Sequence, residues 1–224
     1  MLADAEGRHA AIVRRIRPGE RVDLTDGAGQ VAECVVMSAA HGRLGLRVVS
    51  RCTRPRPEPT LVVVQAIPKA SRGELAVELM TEVGVDVVVP WAAARCIPRW
   101  QGDRGAKAVA RWRDTAREAA KQARRAWLPD VAALTVTNDV IGMIELAASA
   151  VVLEPGASLR LADVRMPRSG DVIVVVGPEG GLTEVEDRAF AAAGAVPVRL
   201  GPSVLRTSTA GAVAAAVLLS RVDR

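Results

Sequence analysis

Hydrophobic residues fall along this chain in two registers. The stretch 172–176 reads VIVVV, apolar without alternation, and the stretches 61–67, 85–89, 150–153 and 196–200 read as further strands. A run with no polar face predicts a parallel strand covered on both sides, and a stretch near 131–136 predicts another strand. Between them the apolar residues recur at helical spacing. Ser71-x-x-Glu74 opens a predicted helix with Leu75, Leu79, Met80 and Val83 inward, and Gly84 ends it. Further helices are predicted over 104–127 and 139–148, from the T-x-x-E box of Thr183 and Glu186, and over 209–222. Strand, helix, strand in sequence implies a right-handed crossover and a parallel sheet.

Residues 1–53 differ. Turn signals at Pro18-Gly19, Asp26-Gly27 and Gly42 separate short strands at 21–24, 31–37 and 44–49, a small β-barrel or sandwich pattern. The segment 54–60, RPRPEPT, reads as a semi-rigid linker, so the expected organisation is a β domain over 1–53 and an α/β domain over 61–224. The stretch 160–170 is expected to be a mobile loop.

The 224 residues are half apolar but poor in aromatics, so Val, Leu and Ala must build the core. A net charge of +5 suits a polyanionic partner. Cys34, Cys52 and Cys96 are odd in number and form no C-x-x-C pair, and His9 and His41 are isolated. No disulfide framework and no metal centre are expected, and a reducing cytoplasm is the expected compartment. No apolar run reaches the ~20 residues of a membrane span.

Candidate chemistry lies where strands end. Strand 172–176 runs into Gly177-Pro178-Glu179-Gly180-Gly181, and strand 196–200 into Gly201-Pro202-Ser203-Val204-Leu205-Arg206-Thr207. Open α/β sheets hold ligands at such loops. The spacing G-x-x-G-G is neither a dinucleotide fingerprint nor a Walker A loop, and taken alone it could be a simple tight turn. Glu179 reads equally as a ligand contact or as a carboxylate favoured at a helix N-terminus. Arg113, Arg117, Lys121 and Arg125 recur every four residues, with Arg124 thickening the stripe. That stripe is read as a phosphate-binding face, with a solvated face neutralised by Asp114 and Glu118 as the alternative. Arg14, Arg15 and Arg17 form a second basic cluster that is either RNA contact or plain surface.

GPEGG before a T-x-x-E helix, followed by LGPSVLRTSTA, resembles the signature of the ribosomal small subunit methyltransferase E family. HAAIVRRIRPGERVDLTDGAG, QAIPKASRGELAVELMTEVGVDVVVP and ARWRDTAREAAKQARR resemble its earlier blocks, so nearly the whole chain is covered. The resemblance implies a SPOUT-type trefoil-knotted α/β domain behind a small PUA-like β-barrel, here without the strand that opens the family's pattern. It implies methylation of N3 of a uridine in 16S rRNA with S-adenosylmethionine as cofactor. The cofactor cleft would comprise Leu153 and Glu154, Gly177 to Gly181, and Leu200, Gly201, Pro202, Leu205, Arg206 and Thr207. Arg206 would stabilise the developing uracil anion, with Glu118 and Gln122 as secondary contacts to the base. Arg14, Arg15, Arg17 and the stripe would hold RNA. The resemblance also implies a homodimer through the C-terminal domain, for which the small-residue helix suggests a face around Ala212, Ala216 and Leu219. Three positions depart from the family pattern: Ser208 stands where glutamate is usual, Lys121 and Ala123 replace Glu and Ser, and Leu153 replaces a frequent histidine. A non-catalytic RNA-binding protein on the same scaffold is the alternative these departures leave open.

Overall fold

A computed structural model describes residues 1–70 and 72–222. The chain divides into two compact units, Met1–Arg56 and Pro57–Arg224.

The larger unit is a six-stranded parallel sheet with helices on both faces. Its strands are β4 (Thr60–Ala66), β5 (Val87–Trp91), β6 (Asp130–Val131), β7 (Ser149–Leu153), β8 (Asp171–Val176) and β9 (Val196–Val198), in the order β6-β5-β4-β8-β7-β9. Every residue of β4 is buried, and β8 is buried after its first residue. Alternate residues of these strands feed opposite cores. Leu61, Val63, Val172, Val174 and Val176 pack under α2 (Arg72–Val83), α3 (Gly102–Gln122) and α6 (Thr207–Leu219). Val62, Val64, Ala66, Ile173 and Val175 pack under α4 (Thr137–Leu146) and α5 (Glu184–Ala192), where Trp91 meets Phe190 edge-on at 5.4 Å. Each such side chain contributes roughly 1.5–3 kcal/mol relative to exposure, so unpatterned valine runs suffice without aromatics.

Helix ends follow the local chemistry. Thr183 Oγ1 accepts from the Glu186 N–H while Glu186 Oε2 accepts from Thr183, the expected reciprocal box. Gly84, at φ 114°, ends α2 as Val85 N–H reaches back to Met80 O. The Ser71 box lies outside the described residues. Helix α3 stops at Gln122, short of the predicted 127, because Arg124 turns left-handed at φ 54°. Its N–H then donates to Lys121 O, and that of Arg125 to Ala120 O, closing a Schellman motif.

Three expectations change. The strand near 131–136 shrinks to Asp130–Val131 plus a bridge at Thr135. The stretch 160–170 is held rather than left loose. Leu161 is buried in a 3₁₀ turn, Leu161 N–H and Arg199 N–H bond across to Arg199 O and Leu159 O, and Arg221 donates to Val164 O. Strand β9 ends at Val198, two residues early.

The smaller unit is a three-stranded antiparallel sheet, β1 (Arg21–Thr25), β2 (Gln30–Ala40) and β3 (Arg43–Thr53). Strand β2 pairs with β1 on one side and β3 on the other, and Leu44 of β3 also bridges to Leu2. The first residues are helical rather than extended, with α1 (Asp4–Arg8) running into a π-turn over His9–Val13. Alanines at 3, 5, 10 and 11 favour helix. Gly7 permits the fit, because a Cβ there would lie 2.7 Å from Leu2 O and 2.9 Å from Gly42 O. Ala10, Val36 and Leu44 form its core, with Leu2, Ile16, Val22 and Leu46 packed around.

Candidate active site

Strand order reverses between β4 and β8, so the loops after those strands flank the crevice where such sheets take ligands. On the far side of β8, strands β7 and β9 end level with it, through the pairs Val152 with Val175 and Leu153 with Val198. Three predicted cofactor segments therefore start together. Glu154 N–H bonds Val198 O at 2.8 Å, tying the first to the third. Thr207 Oγ1 donates to Gly177 O at 3.2 Å, tying the third to the second. Buried Gln65, at the end of β4, donates from Nε2 to Ala66 O and Thr207 O.

The GPEGG loop is a turn closed by Gly181 N–H to Pro178 O at 2.9 Å, with Gly181 at φ 71°. Gly180 needs no such conformation, and the nearest atoms to a Cβ on it belong to Arg95, at 3.5 Å and beyond. Beside Gly201 nothing lies within 4 Å of a virtual Cβ. Bare backbone thus faces open space at Gly201, and Gly180 and Gly181 are exposed, a cradle suited to a ligand read through amides and carbonyls.

Two loops across the crevice hold GPEGG in place. Arg95 Nη1 donates to Gly180 O at 3.0 Å and to Leu182 O at 2.8 Å. Glu179 Oε1 accepts from the Lys69 N–H at 3.1 Å. Helix α5 begins only at Glu184, so Glu179 lies outside its first turn and the helix-terminus reading of that residue lapses. Below, the buried Glu186 carboxylate gathers Thr183, the Ala94 N–H at 2.8 Å and Thr137 Oγ1. Burial pushes its pKa up, but the hydrogen bonds from Ala94, Thr183 and Thr137 outweigh that and hold it below the usual glutamate value. Sequence reading missed Arg95, Lys69 and Gln65. Nothing in their local pattern marks them, because each acts on a residue at least 85 positions away.

Of the remaining candidates, Leu200 packs on the core, whereas Pro202, Leu205 and Arg206 are exposed. Arg206 caps α6 with its carbonyl, which accepts from Thr209 and Ala210, and its guanidinium has no partner among the described residues. Ser208 is buried in the first turn of α6.

The α3 stripe does not hold as one face. Four-residue steps drift by about 40° each on a helix of 3.6 residues per turn, and the last member falls beyond α3, after the left-handed turn at Arg124. Arg125 lies past the helix end and is withdrawn from the RNA face. Its guanidinium pairs with Asp86 at 3.3 Å and donates to Thr81 O and to Val85 O at 2.5 Å. Arg113 donates to Val131 O, and Lys121 pairs with Glu118 at 2.6 Å. Arg117 and Arg124 remain exposed. Glu118 and Gln122 line a hollow of about 390 Å³ with Glu78, Glu82 and Asp114, and none of the three C-terminal loops contributes to it. Arg14, Arg15 and Arg17 are exposed in the smaller unit, Arg15 at φ 52°.

Residues 55–219 match the family described as RNA methyltransferase domain, and residues 2–48 the one described as RNA methyltransferase PUA domain. The class is therefore that of α/β RNA methyltransferases carrying an N-terminal PUA domain. A ribosomal RNA small subunit methyltransferase E from Mycobacterium bovis is 49% identical over 97% of this chain and 86% of its own. One from Bacillus subtilis is 27% identical over 92% and 83%. Among solved structures, a ribosomal RNA small subunit methyltransferase E from Neisseria gonorrhoeae bound to S-adenosyl methionine superposes with a TM-score of 0.83, at 27% identity over 95% of this chain and 88% of that one. A putative methyltransferase from Legionella pneumophila, in complex with the same cofactor, gives 0.85 at 27% identity over 96% and 89%. The chain belongs to the ribosomal RNA small subunit methyltransferase E family.

Proposed function

We propose that the chain methylates N3 of a uridine in the 16S rRNA of the small ribosomal subunit, with S-adenosylmethionine as methyl donor, in a reducing cytoplasm. The observation that carries this reading is the joining of the three predicted loops by Glu154 to Val198 and Thr207 to Gly177 around exposed glycine backbone. Leu153, Glu154, Gly177 to Gly181, Leu200, Gly201, Pro202, Leu205 and Thr207 would hold the cofactor, which supplies an electrophilic methyl on a sulfonium. Glu179 keeps one carboxylate oxygen beyond the bond to Lys69, available to a cationic or hydroxylated ligand.

Uracil N3 bears a proton that must leave before or during attack, so negative charge develops on the ring. Arg206, exposed at the start of α6, would be the group that stabilises that charge. Residues 1–53 would grip RNA through Arg14, Arg15 and Arg17, and 61–224 would carry the chemistry, joined by 54–60. Arg117 and Arg124 would add phosphate contacts. The working form would be a two-fold dimer through the C-terminal domain.

The test is transfer of labelled methyl from S-adenosylmethionine to small subunits lacking the modification, with the product nucleoside identified by mass. N3-methyluridine is the expected product. S-adenosylmethionine binding without transfer would favour the non-catalytic reading, and a different methylated nucleoside would remove the N3 assignment.

A further inference from the structure

The two loops that clasp GPEGG do not end there. The one carrying Lys69 continues through Ala70, and the one carrying Arg95 through 97–100, and together with the first turn of α2 and the first three turns of α3 they line a cavity of about 500 Å³. Its charged lining is three guanidiniums, Arg99, Arg104 and Arg111, against one carboxylate, Glu74. Glu74 is already engaged by Arg111 at 3.3 Å. Arg99 and Arg104 are exposed and have no acceptor among the described residues.

The aromatic lining is equally specific. Trp100 and Trp112 meet edge to face, with ring centroids 5.0 Å apart and planes at 78°. Trp112 is buried, and Trp100 is half-buried. Gly73 makes this possible, since a Cβ there would lie 2.7 Å from the Trp112 ring. Trp100 is therefore fixed by packing while part of it stays open to the cavity. Only five of the chain's 224 residues are Trp or Phe, so two indoles in one cavity also containing three arginines is a concentrated arrangement.

An apolar ligand would not need two unpaired guanidiniums, and an acidic peptide would not need a held indole. A nucleotide needs both, an aromatic face for the base and arginines for the phosphate. The volume lies within the range of small-ligand clefts. We propose that this cavity is a nucleotide subsite. It takes a residue of the RNA strand flanking the methylated one, with the base against Trp100 and its phosphates on Arg99 and Arg104. This rests on the methyltransferase reading for the identity of the strand, and extends it by a second site on the opposite side of GPEGG.

The test uses the full chain and a ten-residue oligouridylate, with binding followed by tryptophan fluorescence across a salt series. The Arg99→Gln/Arg104→Gln variant should bind at least tenfold more weakly, and its log K against log salt slope should fall by about 1.4, two single-strand phosphates' worth. Trp100→Leu should weaken binding about tenfold, and Trp100→Phe should keep most of it because a ring remains. Calorimetric affinity for S-adenosylmethionine should be unchanged in all three. An unaltered affinity and salt slope in the double variant would overturn the subsite, as would equal displacement of the oligouridylate by a polyglutamate of the same length. Wild-type protein that binds the oligouridylate through these residues but methylates no subunits would keep the subsite and remove the methyltransferase reading.

Discussion

Arg125 and Asp86 form a pair whose side chains are 12% and 8% exposed, and Asp86 Oδ2 also accepts from the Leu61 N–H at the start of β4. Removing one partner of such a pair strands the other, at a cost of about 3–5 kcal/mol. Arg125→Ala should lower the melting temperature by several degrees, whereas Arg117→Ala, on the solvent face, should leave it nearly unchanged. RNA-affinity variants of α3 should therefore spare Arg125. Glu186 is a second residue with a definite sign. Its folded-state pKa lies below its ordinary value, so its stabilising contribution is full above the usual glutamate range and is lost as pH falls through the depressed pKa. Glu186→Gln cannot accept those bonds in the same way. Its melting temperature should be lower than wild type at pH 7, with the difference narrowing towards pH 3.

At the scale of the loop, Gly180 and Arg95 make opposite predictions about one element. Gly180 has an ordinary φ, and the nearest atom to an added Cβ is Arg95 Cβ at 3.5 Å, an ordinary van der Waals contact, so Gly180→Val should still fold. The added branches would occupy the backbone's approach to the cofactor, and calorimetric S-adenosylmethionine binding should be abolished. Arg95→Ala removes two hydrogen bonds to the loop without adding bulk. It should weaken cofactor affinity about tenfold through the cost of ordering GPEGG on binding, and unchanged affinity would show that the loop is ordered without it. These elements also show what the chain displays openly. Buried strands were legible because VIVVV has no polar face, and α5 because Thr183 and Glu186 each satisfy the other's backbone. Helix α3's end was not, since Arg124 adopts a conformation usually left to glycine. The basic stripe misled because spacing in sequence is not angle on a helix. Arg95 was invisible for a different reason, as its partners are fixed by the crossing of loops from distant strands.

For the molecule as a whole, helix α6 decides how copies could meet. Gly211, Ala214, Ala215 and Leu218 face its own core, and so does Ala212, which is only 7% exposed and leaves the expected interface. Leu219 packs partly against the same core. The outward line is Val213, 39% exposed, and Ala216. If a second copy covers it, Ala216→Arg should convert a dimer into a monomer by light scattering and reduce methyl transfer, while a wild-type monomer active at micromolar concentration would remove the dimer from the proposal. The sheets bear on the same question. In the large sheet both outermost strands are stubs, Asp130–Val131 and Val196–Val198, the latter with a proline at its centre. In the small sheet the eleven-residue β3 is covered at Leu44 by Leu2 and carries Arg43, Arg47 and Arg51 along the rest. Neither offers the long, flat, neutral border on which a further strand could be laid. Crowding such a chain should therefore drive it towards closed, helix-to-helix association rather than towards fibrils, and concentrated solutions should stay clear.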